Sequence, residues 1–204
     1  MRVLVASLLC ISSARAGNLI VNGNFTNGSL TGWKILSGAV QVIPPAGDFT
    51  PPVGSYTQVN GNVTNGSYTV DLTNSSAGVL YQEVATKVGT TYLLSFYFGG
   101  NPDWFWESDD CTAECIPNDG AMKSMQLYID SVLQQTYTCN SSVLAWYSSP
   151  QWVLVTYVFT ATSTTTVLSF HSLNGLGSVA DPNGMPAQES FFGPLLSGVS
   201  LVAL

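Results

Sequence analysis

Arginine is missing from the sequence beyond Arg15, histidine occurs once, as His171, and charged residues of every kind make up 8% of the 204 residues. Each scarcity excludes something. Without arginine there is no planar guanidinium fork to grip a carboxylate or phosphate with two hydrogen bonds. Once residues 1–16 are set aside, Lys34, Lys87 and Lys123 face twelve acids, a net charge of −9. Such a chain has no surface for neutralising phosphates, which rules out nucleic acid as a partner and makes an anionic membrane a poor one. A serine–histidine–acid triad has only His171 to draw on, and no G-x-S-x-G turn lies near it. Apolar runs of the roughly 18 residues that a membrane helix needs are absent, so no membrane span is expected. Cysteine is sparse too: Cys10, Cys111, Cys115 and Cys139 are the full set.

What is present is apolar and aromatic, 46% and 11% of the chain, enough to build a core without charge. Met1-Arg2, the apolar run 3–11 and the small residues Ala14 and Ala16 have the form of a secretory signal peptide. We expect cleavage after Ala16, leaving 17–204 as a single secreted domain. Asn-x-Ser/Thr acceptors at Asn24, Asn27, Asn62, Asn65, Asn74 and Asn140 are about twice what chance pairing gives, and they point to a glycoprotein. Asn62, Asn65, Asn74 and Asn140 are the expected glycosylated positions, since Asn24 and Asn27 are too close for both to be used. Loss of Cys10 with the signal leaves three cysteines, hence one disulfide and one thiol. The expected bond joins Cys139 to Cys111 or Cys115, with Cys111–Cys115 as the alternative.

No helical period stands out. The strongest segments alternate every second residue and are rich in β-branched and aromatic side chains. In 92–98, Tyr92, Leu94, Phe96 and Phe98 share a face; Met125, Leu127 and Ile129 face inward, with Gln126 and Tyr128 outward. The segment 152–159 is apolar on both faces and predicts a central strand. In 165–170, Val167 points opposite to Leu168 and Phe170. Further strands are expected at 19–22, 33–36, 40–43, 68–72, 79–84, 132–138 and 195–204. About ten short strands separated by Gly, Pro, Asn and Ser clusters predict an all-β sandwich or jelly roll. Three connections are long, 44–59, 99–123 and 174–190, and long loops on a rigid sandwich are where binding concentrates.

Four blocks, in order, carry a family resemblance. They are Asn18-Leu19-Ile20-Val21-Asn22-Gly23-Asn24-Phe25 with Gly32-Trp33, and Thr91-Tyr92-Leu93-Leu94-Ser95-Phe96 running into Gly100-Asn101-Pro102-Asp103. Ala121-Met122-Lys123-Ser124-Met125-Gln126 follows, and then Ser169-Phe170-His171-Ser172-Leu173 with Phe192-Gly193-Pro194-Leu195. The set resembles secreted galactose-binding-like domains. More narrowly, it resembles a family of plant cell-wall proteins of unknown function and of bacterial extracellular proteins labelled choice-of-anchor C. The resemblance implies a galactose-binding-like jelly roll, a cell-wall or matrix location, and non-catalytic binding to polysaccharide or to wall-modifying enzymes. It brings no catalytic residues. The resembling domains carry acids that help hold a structural Ca²⁺ where this chain has Thr26 and Ser197-Gly198. Ca²⁺ needs anionic oxygen ligands, so no cofactor is expected here.

The stretch 99–120, GGNPDWFWESDDCTAECIPNDG, is the strongest candidate site. Sugars are recognised by an aromatic face against their C–H groups, with carboxylates and amides taking the hydroxyls. Extended backbone would put Trp104 and Trp106 on one side as a platform, with Asp103, Asp109 and Asp110 as acceptors. The competing role for these rings is to tuck the insertion onto the sandwich. Trp146-Tyr147 is a second platform candidate, whereas Trp33 and Trp152 fall inside strand patterns and are expected in the core. The acids of 103–119 have no EF-hand spacing, and zinc through Cys111, Cys115 and His171 is disfavoured by an oxidising destination. Two rival classes remain beside a carbohydrate binder. One is a self-associating structural or adhesion protein. The other is a glycoside hydrolase using a pair such as Asp110 and Glu114, for which loop acids are poorly suited.

Overall fold

In the computed structural model, residues 17–43, 68–74, 76–101, 122–140, 152–174 and 193–204 are described. They form ten strands: β1 (Lys34–Ser37), β2 (Gln41–Ile43), β3 (Thr69–Asp71), β4 (Val79–Ala85), β5 (Thr91–Gly100), β6 (Met122–Ile129), β7 (Val132–Asn140), β8 (Val153–Thr160), β9 (Thr165–Ser172) and β10 (Pro194–Ala203). The one helical element among the described residues is a 3₁₀ turn at Thr26–Gly28. Two five-stranded sheets result, β1-β4-β9-β6-β7 and β2-β3-β10-β5-β8, and every strand pair is antiparallel. The chain crosses between sheets after β1, β3, β4, β5, β7, β8 and β9, which is the winding of a jelly roll.

Alternation is why these segments are strands. Along β5 the burial pattern switches at each step, with Tyr92, Leu94, Phe96 and Phe98 inward; β6 does the same with Met125, Leu127 and Ile129. A jelly-roll core fills from both sheets. Phe96 of β5 meets Phe170 of β9 edge to face at 5.1 Å, and Trp33 stands 6.1 Å from Phe170 and 5.5 Å from Phe25. Trp33 is core, as expected, and its indole Nε1 donates to the Asn22 carbonyl at 3.1 Å.

Two expectations about strands are corrected. Segment 19–22 is not a strand. Asn18 Oδ1 accepts from Ile20 N and Leu201 N, and the Gln82 carboxamide pairs with both the N–H and the carbonyl of Val21. Apart from Leu19 N, which donates to the Leu201 carbonyl, side chains thus stand in for a ladder at Ile20 and Val21, and the turn delivers Phe25, in the left-handed region at φ 50, to the core. Nor is β8 central: among the described residues it lies at the edge of its sheet, paired to β5 alone. Val153, Leu154 and Val158 are more than half exposed there, so its two-faced apolarity does not report burial on both faces.

Register places the long connections. The end of β5 is opposite the start of β10 (Gly100 with Pro194) and near the start of β8 (Phe98 with Val153). In the other sheet the start of β6 meets the end of β7 (Met122 with Asn140), and the end of β9 lies alongside (Met125 with Ser172). Connections 102–121, 141–151 and 175–192 therefore all leave from, and return to, one end of the sandwich. Segment 44–67 joins β2 to β3 at the opposite ends of those strands.

Candidate functional site

At that end the core turns polar. Asp71, at the close of β3, is buried, and its carboxylate is ringed by donors. Thr73 N and Gly193 N reach Oδ1 at 2.8 and 3.0 Å, and Asn101 Nδ2 reaches Oδ2 at 2.6 Å. Thr73 Oγ1 lies 2.7 Å from Ser172 Oγ and donates to the Asn174 carbonyl at 3.0 Å. The Asn174 carboxamide then ties down β6, accepting from Ser124 N and donating to the Met122 carbonyl, both at 2.8 Å. Backbone bonds close the ring: Asn101 N to Gly193 O and Leu72 N to Pro194 O, both at 3.0 Å. One connected network thus holds Asn101 and Met122, which flank 102–121, and Asn174 and Gly193, which flank 175–192. A fully satisfied buried network fixes geometry in a way that apolar contacts alone do not. Gly193 has to be glycine, because a Cβ there would collide with Thr73 and Asp71.

Lys123, fully buried on the inner face of β6, adds a cation whose field reaches this network. Burial pushes the Asp71 carboxyl up to about 7, while Asn101, the N–H groups of Thr73 and Gly193, and the Lys123 ammonium all pull it back down. Every one of those partners donates or is cationic, an arrangement built for a carboxylate rather than for an acid that must donate its own proton. Cys139 lies opposite Lys123 on β7 and is half-buried. Burial raises its thiol to about 11, against the pull of Lys123.

Among the residues singled out from sequence, the structure describes few. Trp104, Trp106, Asp103, Asp109, Asp110, Trp146, Tyr147, Cys111, Cys115, Asn62 and Asn65 lie outside the described residues, as does the 1–16 signal segment. Cys139 is a free thiol in the structure. With its thiol held near 11, under one part in a hundred is thiolate at pH 8, so alkylation of the native protein should be at least tenfold slower than for an exposed cysteine. Alkylating the denatured protein without reductant decides the expected pairing: Cys139 labels if it is a thiol and stays unlabelled if bonded to Cys111 or Cys115. Asn140 is exposed at the end of β7 and Asn74 is half-buried. Trp152 is half-buried ahead of β8, with its Nε1 enclosed and lacking a hydrogen-bond partner. His171 sits on the outer face of β9, half-buried.

Sequence reasoning passed over the network itself. Lys123 was the legible part: it is two residues before Met125 and so falls on the inward face of β6. Asp71 gave no such signal, because it alternates with Val70 and Leu72, both core residues. Among the described residues no group of three or more His, Cys, Asp or Glu could hold a metal. The Ca²⁺ of the resembling domains does not fit this chain. Thr26 N is occupied by Asn22 Oδ1, Ser197 Oγ donates to the Tyr68 carbonyl at 2.9 Å, and neither position offers a carboxylate. No helix among the described residues is long and apolar enough to cross a membrane.

Comparison with known proteins adds the following. No protein-family profile matches the chain. Over 196 residues it is 28% identical to Halomucin of Haloquadratum walsbyi, a match that covers 82% of this chain and 2% of that protein. Among solved structures it is similar to TmCBM61 in complex with β-1,4-galactotriose (14% identity, TM-score 0.49, 92% of this chain and 99% of that one). It is also similar to the CBM22-1 xylan-binding domain of Paenibacillus barcinonensis Xyn10C (12%, 0.46, 94% and 97%). A family 35 carbohydrate-binding module of Clostridium thermocellum is a third (13%, 0.43, 83% and 90%).

Proposed function

We propose that this chain is an extracellular, non-catalytic carbohydrate-binding domain of the cell wall or matrix, and that it takes its glycan at the end of the sandwich carrying 102–121. The observation that supports this is the buried network: Asp71, Asn101, Asn174 and Gly193 lock the roots of two long connections to one rigid frame. A binding loop gains affinity when its roots are fixed before the ligand arrives. On that frame Trp104 and Trp106 supply the stacking faces, Asp103, Asp109 and Asp110 the acceptors, and Trp146-Tyr147 an adjoining platform. A net charge of −9 beyond residue 16 and the absence of arginine there point to a neutral glycan. The ordered blocks that resemble plant cell-wall and choice-of-anchor C proteins suggest a wall location, and wall-modifying enzymes are the protein partners that resemblance implies.

Affinity electrophoresis tests this directly. Native gels cast with β-1,4-galactan, xylan, arabinan or mixed-linkage glucan should retard the protein in at least one case. The same mixtures should release no new reducing ends over a day. Steady release of reducing ends would make the protein a glycoside hydrolase instead. A second class, a self-associating structural protein, is favoured by one feature: among the described strands β8 is an edge, and its Val153, Leu154 and Val158 face solvent. In that case the protein should sediment as assemblies whose size depends on its own concentration and not on added sugar.

A further inference from the structure

We propose that the solvent face of sheet β1-β4-β9-β6-β7 is a second carbohydrate-contacting surface, which takes an extended, neutral, β-linked glycan chain lying across the strands. This rests on the carbohydrate-binding reading above but uses none of the residues of 102–121. Tyr81 of β4 and Tyr128 of β6 are both register partners of Ser169 on β9, so the three stand in one row across the sheet. Two strand spacings separate the tyrosines, about 9.5 Å. That is close to the disaccharide repeat of an extended β-linked chain, in which alternate rings present the same face. Tyr81 and Tyr128 are half-buried, and Ser169 between them is almost covered, so the two rings stand above a low polar floor.

The polar groups around the row suit sugar hydroxyls. His171 stacks on Tyr128 with centroids 4.2 Å apart and planes 25° from parallel, and its Nε2 lies 3.0 Å from Ser169 Oγ. Tyr128 OH donates to Gln126 Oε1 at 3.0 Å, and Gln126 is the register partner of His171 in the next row. Burial lowers the His171 pKa, leaving a neutral ring that both donates and accepts at neutral pH. The charged groups of the described face are Lys34 and Glu83, paired with each other at 2.9 Å with the exposed Lys34 Nζ over the Tyr81 ring at 5.5 Å, and Asp130 at the β6–β7 turn, which accepts from Val167 N. The middle of the face is therefore uncharged.

His171 is the chain's single histidine, so its ring protons give one unambiguous pair of signals in the NMR spectrum of the unaltered protein. Titration with xylohexaose, cellohexaose and β-1,4-galactohexaose should move those signals, saturably, with at least one of them, and the matching disaccharides should bind at least tenfold more weakly. Tyr81→Ala and Tyr128→Ala should each weaken hexasaccharide binding about fivefold, with Tyr81→Phe close to unchanged. In Trp104→Ala/Trp106→Ala the His171 shift should persist. If a hexasaccharide binds by calorimetry but His171 does not move, this surface is not a site, and binding at 102–121 stands. If no hexasaccharide or polymer binds, both fail together. His171 signals that move with protein concentration alone would give the face to a second copy and overturn the proposal. The NMR readout holds even if an alanine variant fails to fold.

Discussion

Asp71→Ala is expected to destabilise the domain by about 3–5 kcal/mol, the usual cost of removing one partner from a buried ionic group. The change strands the Asn101 carboxamide and the N–H groups of Thr73 and Gly193 inside the buried network. Since whole domains are stable by about 5–15 kcal/mol, thermal unfolding should show this plainly. The dependence on pH has a definite sign. Asp71 titrates in the folded protein at about 7, above its ordinary 3.8, because burial opposes its charge. A raised pKa means that its contribution is complete at pH values below the unfolded pKa and declines as pH rises through about 7. The domain should therefore lose stability between about pH 4 and pH 7 from this group, and Asp71→Asn should flatten that slope. His171, whose pKa is lowered by burial, acts in the opposite sense at the acid end. Comparing the two proteins at each pH cancels its effect. A melting temperature of Asp71→Ala within a degree or two of the parent would mean that the network holds nothing together.

Trp104→Ala/Trp106→Ala should weaken polysaccharide binding by tens-fold and move the melting temperature by no more than a few degrees. Each stacked ring contributes on the order of 1 kcal/mol beyond the area it buries, and the lost contact area adds to that. Large aromatic surface on an insertion usually marks an interaction site. Unfolding of the double variant would show instead that these rings pack onto the sandwich. Unchanged binding and stability would move the site to Trp146-Tyr147.

Much of this fold was legible because alternation is a property of single strands. Phe96 and Phe98, Met125 and Leu127, Leu168 and Phe170 each declared their face without reference to a neighbour. What alternation cannot report is a strand's place in the sheet. The segment with Leu154 and Val158 opposite Val155 and Tyr157 reads as buried on both faces, yet only the β5 side of β8 is paired. Side chains that replace backbone partners are equally silent. Nothing local at 19–22 announces that Gln82, some sixty residues on, will satisfy Val21. The site divides in the same way. Trp104, Trp106 and their acids were noticed because they are rare and close together in sequence. Asp71, Asn101, Asn174 and Gly193 come from four separate segments and become a unit only where β3, β5 and β9 end and β10 begins. The row of Tyr81, Ser169 and Tyr128 is hidden for the same reason, since it exists only through strand register.

The central claim, that this domain binds neutral glycan without cleaving it, is tested most directly by isothermal titration of the purified protein with soluble β-1,4-galactan, xylan and mixed-linkage glucan. The account predicts saturable binding to at least one polymer, with the polymer recovered at its original chain length. Heats indistinguishable from dilution across the whole series, from protein with an intact melting transition, would contradict it.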